Sequence, residues 1–153
     1  MNITAMYFSG TGTTKKVTAA IADELTEIKI SRDETAAGEN PGSRKAGIKP
    51  WQRADDIDFT PPAARREIYR FTPDDLVVFG VPVIAGRVPN VLLKFLDTLQ
   101  GGGALAVPVV LYGNRNFDDA LIELRNILQD RGFYAIGAAA FIGEHSFSRI
   151  LAA

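Results

Sequence analysis

Ser9, Gly10, Thr11, Gly12, Thr13 and Thr14 are six small residues in a row, four of them with hydroxyls, set between an apolar run and a helix-like pattern. Residues of these types can hold phosphate. A strand-to-helix turn presents unpaired backbone amides at the positive end of a helix macrodipole, and glycines let the backbone approach the ligand closely. Gly10 and Gly12 supply that access, while Ser9, Thr11, Thr13 and Thr14 add hydroxyl donors, enough for a terminal phosphate without a paired arginine. A dinucleotide fingerprint starting at Gly10 would need Gly or Ala where Lys15 stands, and a P-loop needs a Gly-Lys-Ser/Thr step that is absent. The plainer reading is a helix capped by Thr13 or Thr14 and a chain turned by its glycines.

Composition limits what other chemistry is available. The chain has no cysteine, which excludes disulfides, thiolate nucleophiles and cysteine-ligated iron–sulfur or zinc sites within it. Redox work would need a bound cofactor. His145, the only histidine, changes charge near neutral pH and could gate protons, though a surface or hydrogen-bonded role is the plainer one. Trp51, the only tryptophan, suits either an aromatic lid or simple packing. Arg65-Arg66 suits an acidic partner or, more plainly, a solvated helix face. With 17 Lys and Arg against 18 Asp and Glu, no strong field points to nucleic acid or a membrane surface. No apolar stretch approaches the roughly 20 residues of a membrane helix, and MNITAMYF lacks a secretion signal's basic start and cleavage pattern. The expectation is a soluble, cytoplasmic protein.

The elements that must position the hydroxyl-rich loop follow from hydrophobic periodicity. Ile3 to Phe8 is a short apolar strand, and Thr13 to Leu25 follows with Val17, Ala20, Ile21 and Leu25 at helical spacing. Asp75 to Val81 is nearly continuous in apolar residues, as in a parallel sheet covered on both faces. Pro89 suits a helix's first turn, with Val91, Leu92, Phe95, Leu96 and Leu99 as its stripe before Gly101-Gly102-Gly103. Leu105 to Tyr112 is a second buried strand, Asp118 to Asp130 another helix, and Ala135 to Ile142 a last strand. Between Ile30 and Ala54 no period emerges, so residues 30–54 read as an inserted flexible loop, with Asp56 to Thr60 as the edge strand. The 153 residues make about one domain, 1–153, of α/β class with a doubly wound parallel sheet.

Ser9 to Thr14 resembles the flavodoxin phosphate loop, a Thr/Ser-x-Thr-Gly-x-Thr pattern after the first strand. Phe79-Gly80-Val81-Pro82-Val83-Ile84-Ala85-Gly86-Arg87-Val88-Pro89 and Tyr112-Gly113-Asn114-Arg115-Asn116-Phe117-Asp118-Asp119-Ala120 resemble, in the same order, flavodoxin-like domains found fused to ferredoxin domains in some bacteria and archaea. Gly143-Glu144-His145-Ser146-Phe147-Ser148 is similar to that subgroup too. Flavodoxin is itself the type example of five-stranded order 2-1-3-4-5 with flavin mononucleotide (FMN) at the switch point, and the resemblance carries that geometry over. It implies FMN as cofactor, its phosphate on Ser9 to Thr14. One ring wall would come from Pro82, Val83, Ile84, Ala85, Gly86 and Arg87, with a backbone group near Gly86 meeting flavin N5. Gly113, Asn114, Arg115, Asn116 and Phe117 would form the other. Ile84 stands where such domains often have an aromatic residue, and the residues after Gly143 are fewer than the usual final helix requires, which implies a shortened C-terminal end. A sheet face left bare there would be covered by the 30–54 insertion or by a second copy in a homodimer.

The resemblance implies an electron-transfer protein with no catalytic residue of its own, exchanging electrons with a partner such as a ferredoxin or a flavoprotein reductase. The alternatives are an FMN-dependent reductase of a quinone-like small molecule and a degenerate interaction module without flavin.

Overall fold

The computed structural model describes residues 1–39, 51–113 and 119–142. Its strands are β1 (Asn2–Tyr7), β2 (Gln52–Arg53), β3 (Ile57–Asp58), β4 (Asp75–Pro82), β5 (Leu105–Tyr112), β6 (Tyr134–Ala135) and β7 (Ala139–Ile142), and its helices α1 (Thr13–Glu39), α2 (Asn90–Leu96) and α3 (Ala120–Asp130). Every pairing between strands is parallel. β2 and β3 are successive pieces of one edge, both paired to β1, and β6 and β7 are successive pieces of the other, both paired to β5. The sheet thus has five positions in order 2-1-3-4-5, the flavodoxin-like topology.

β4 is buried along nearly its whole length, which is why it reads as an unbroken apolar run. Its alternate side chains feed two cores. Val77, Phe79 and Val81 meet Leu92, Phe95 and Leu96 of α2 and Leu124 and Leu128 of α3. On the opposite face, Leu76 and Val78 join Ile3, Ala5 and Tyr7 of β1 beneath Ala22 of α1. Phe59, just beyond β3, fills the first core and stacks on Phe79 at 5.2 Å.

α1 lies directly against the sheet at Gly80. Its fully buried row is Thr14, Thr18, Ala22 and Thr26, with Val17, Ile21 and Leu25 only half-buried and Ala20 exposed. The small row fits because Gly80 lies under it: a Cβ there would stand 2.0 Å from Thr18 Oγ1 and 3.2 Å from Thr14 Cγ2. The Thr18 hydroxyl is buried without a hydrogen-bond partner among the described residues. On α2, Val91 is likewise exposed while Leu92, Phe95 and Leu96 carry the burial.

The expected 30–54 loop is corrected at both ends. α1 continues to Glu39, because Thr13 to Ala37 contains no glycine or proline to stop it. At 27 residues the helix is about 40 Å long, well beyond the strand it covers. At the other end, Gln52 and Arg53 already pair with Asn2 and Ile3, so the edge strand starts before the expected Asp56 and is interrupted between Arg53 and Ile57. Residues 40–50 lie outside the described residues, as does the expected shortened end at 143–153. Trp51 packs against the α1-side core.

The last strand is also divided, with Ile136 to Ala138 between its pieces. On the α1 side of that edge Phe141, paired with Leu111, and Tyr134, paired with Leu105, remain exposed. Among the described residues no helix is long and apolar enough to cross a membrane.

Candidate functional site

Because β1, β4 and β5 are parallel and adjacent, the chain leaves all three at one edge of the sheet. Tyr7 is in register with Gly80, and Pro82 with Leu111. The loops beginning at Phe8, Val83 and Gly113 are therefore neighbours, as the resemblance requires.

The first loop is anchored at its ends and open in its middle. The Ser9 amide donates to Thr60 Oγ1 at 2.8 Å, and Ser9 Oγ accepts from the Lys15 amide at 3.1 Å. The Lys16 amide donates to Gly12 O at 3.1 Å, which closes the first turn of α1. Between these bonds, the amides of Gly10, Thr11, Gly12, Thr13 and Thr14 reach no acceptor among the described residues. Gly10, Thr11 and Gly12 are exposed, and α1 has no acidic residue in its first turn. Gly12 has φ +90, a conformation that disfavours any side chain, whereas a Cβ on Gly10 would meet nothing within 4 Å. A row of unclaimed amides at the positive end of a long helix has the donor chemistry for a phosphate.

Thr60 is a site residue that periodicity does not reveal. Its own amide donates to Asp58 Oδ1 at 2.9 Å, and its carbonyl accepts from Arg65 Nη1 at 2.6 Å. Arg65 Nη1 also reaches Phe59 O at 3.0 Å, and the guanidinium lies over the Phe8 ring, 5.5 Å from its centroid. Arg65 is thus a brace beside the loop and not the solvated face its sequence suggests, whereas Arg66 is exposed. The one available signal was position, since residues ending the second strand emerge at the same sheet edge.

Behind the loop, buried Tyr7 donates its hydroxyl to Asp56 Oδ2 at 3.1 Å. Arg53 bridges Asp56 at 2.5 Å and Asp23 of α1 at 2.9 Å. Burial, helped by that hydrogen bond and the Asp56 charge, pushes the Tyr7 hydroxyl up to about 12.

The second loop is closed on itself. Ile84 and Arg87 exchange both backbone hydrogen bonds at 3.0 Å, and Ala85 and Gly86 have φ +51 and +75, a tight turn with both central residues left-handed. Val83 N donates to Leu111 O at 2.8 Å. Ile84 and Ala85 are exposed, whereas the Arg87 guanidinium is turned to Glu123 of α3. Glu123 Oε1 accepts the Val88 amide at 2.8 Å and Oε2 accepts Arg87 Nε at 2.8 Å. Burial alone would raise the Glu123 carboxyl, but the Arg87 hydrogen bond, the Val88 amide and the Arg87 charge together hold it below its ordinary range.

Of the third loop, Gly113 is exposed; Asn114, Arg115, Asn116 and Phe117 lie outside the described residues, as does His145. Among the described residues no cluster of His, Asp or Glu could hold a metal ion.

No protein-family model matches this chain, and no curated protein does. Solved structures do. A flavodoxin from the domain Archaea matches at TM-score 0.52 and 16% identity, over 93% of this chain and 85% of that one. An NADH:FMN oxidoreductase in its apo form matches at TM-score 0.57 and 18% identity, over 92% of this chain and 75% of that one. Likenesses at these identities establish the flavodoxin-like fold, in agreement with the strand order.

Proposed function

We propose that this chain binds FMN and serves as an electron-transfer protein. The observation that carries the reading is the run of amides from Gly10 to Thr14 that meet no acceptor among the described residues, at the start of α1 and at the sheet edge where the fold's ligand crevice lies. In this reading the loop holds the phosphate through those amides and the hydroxyls of Thr11, Thr13 and Thr14. The turn Ile84–Arg87 would lie beside one side of the flavin ring, and the expected other wall at 113–117 belongs to the same reading, with 114–117 outside the described residues. Bound FMN would supply the electron uptake and release, so the chain's own task is to hold, orient and shield it. Exposed Ile84 offers an apolar but non-aromatic surface to the ring.

The partner in this proposal is a second redox protein, a ferredoxin or a flavoprotein reductase, met in the cytoplasm; kinship with ferredoxin-fused domains belongs to the same reading. The near-zero net charge gives little long-range steering, so recognition would be short-range. Exposed Tyr134 and Phe141 at the far sheet edge are the surface on which a homodimer would form.

Replacing Thr11 with Glu sets a negative charge against the phosphate and should weaken FMN binding by about a hundredfold or more, read by flavin fluorescence quenching. Unchanged affinity would show that the phosphate lies elsewhere. The alternative of a flavin-dependent reductase, to which the likeness to an NADH:FMN oxidoreductase fold gives some standing, predicts sustained turnover with a nicotinamide donor and a quinone, which a pure carrier lacks.

A further inference from the structure

Glu123 lies 36 residues beyond Arg87 in sequence, yet both of its carboxylate oxygens are spent on the segment that follows β4. One oxygen takes the Arg87 side chain; the other takes the backbone amide of Val88, where the turn re-enters the core. The Glu123 side chain is 15% exposed against 64% for Arg87. The protected member is therefore the carboxylate, and a largely desolvated acceptor shared by two donors is a strong fastener. The turn itself needs fastening. Ala85 at φ +51 is held where a residue with a Cβ is disfavoured by about 1 kcal/mol, and among the described residues the backbone of the four-residue turn is otherwise secured only by its own pair of bonds. The crest at Ala85 and Gly86 makes no hydrogen bond among the described residues, so the fastening leaves its peptide groups available.

We propose that Glu123 is the positioning residue of the flavin-side turn: by gripping Arg87 and Val88 together it sets the height and tilt at which Ala85 and Gly86 face the ring. The inference rests on the FMN reading and adds to it a residue from a separate helix. It also gives Arg87 a role distinct from ligand contact, that of the side chain through which α3 holds the turn.

The test compares wild type, Glu123→Ala and Glu123→Gln by FMN titration and by amide hydrogen exchange of the flavin-free protein. In Glu123→Ala, FMN affinity should fall about tenfold, and the Arg87 and Val88 amides should exchange about tenfold faster. The Ser9 amide, donated to Thr60 in the phosphate loop, should keep its rate. Glu123→Gln retains an oxygen for Val88 and should lie between the two; it also serves if the alanine variant does not fold. If wild type binds FMN and neither variant weakens it, the proposal is overturned while the FMN reading stands. Ser9 exchange that accelerates as much as that of Val88 would overturn it too, by showing that Glu123 stabilises the whole fold. A wild type that binds no FMN, with the Arg87 and Val88 amides still loosened, would remove the FMN reading and this proposal with it.

Discussion

The two loops at the candidate site are built on opposite principles. Ser9–Thr14 is fastened at its ends and leaves its middle amides without an acceptor among the described residues, whereas Ile84–Arg87 is closed by its own pair of backbone bonds and gripped from outside by Glu123. An open run of donors suits a ligand group that is charged and makes many hydrogen bonds. A closed turn suits a flat, largely apolar ring that needs a shaped wall. The difference shows that two loops at one sheet edge can be ordered in different ways, one by bonds at its ends and the other by a closed pair and a side chain from a separate helix.

Substitutions beneath the open loop should break one side of this comparison and spare the other. The largest effect belongs to Gly80→Val, which drives a side chain into Thr18 and Thr14 and lifts the start of α1. It should cost about 3 kcal/mol, measured by urea unfolding, with FMN affinity falling more than the loss of fold alone explains. By contrast Thr18→Ala, which removes a buried hydroxyl that has no partner among the described residues, should be close to neutral. A Gly80→Val protein as stable as wild type would mean that α1 does not rest where we describe it.

The pH dependence separates the two regions further, and the signs differ. Tyr7 has its folded value raised from 10.0 to about 12, so its contribution is complete below pH 10 and is lost as pH rises through 10 to 12, by roughly 2–3 kcal/mol at most. Tyr7→Phe should abolish that alkaline loss. Glu123 has its folded value lowered from 4.5, so its clamp is complete above that value and is lost as pH falls through the lower folded one. Alkaline conditions should therefore loosen the loop side first and acid the turn side, as site-resolved amide exchange would report; the reverse order would contradict the assignment. A smaller effect belongs to Thr60→Val, which leaves the Ser9 amide without its acceptor and should weaken FMN binding by about 1 kcal/mol, while Thr60→Ser restores it.

Much of the fold was legible because burial on both faces leaves an apolar run, as in Asp75–Pro82 and Leu105–Tyr112, and because the loop motifs fall in a recognisable order. Ser9 to Thr14 and Pro82 to Arg87 come to one sheet edge as that order implied. What stayed hidden has a common cause. Thr60 meets Ser9 across 51 residues and Glu123 meets Val88 across 35, and neither carries a local pattern that marks its partner. α1 was read too short because no apolar period continues past Leu25, and its buried row, Thr14, Thr18, Ala22 and Thr26, was missed because it is small and partly polar. Only the glycine opposite, Gly80, explains why that row can face a core. The broken edge strands escaped for a related reason, since two-residue pieces such as Gln52–Arg53 have no period to detect.

The most direct measurement is the visible absorption spectrum of the purified protein after FMN is added and free flavin is removed by gel filtration. A yellow protein with stoichiometric flavin, its fluorescence quenched, is the result this account predicts. A colourless protein whose thermal stability FMN does not raise would contradict it, and would leave a flavodoxin-like fold serving as an interaction module.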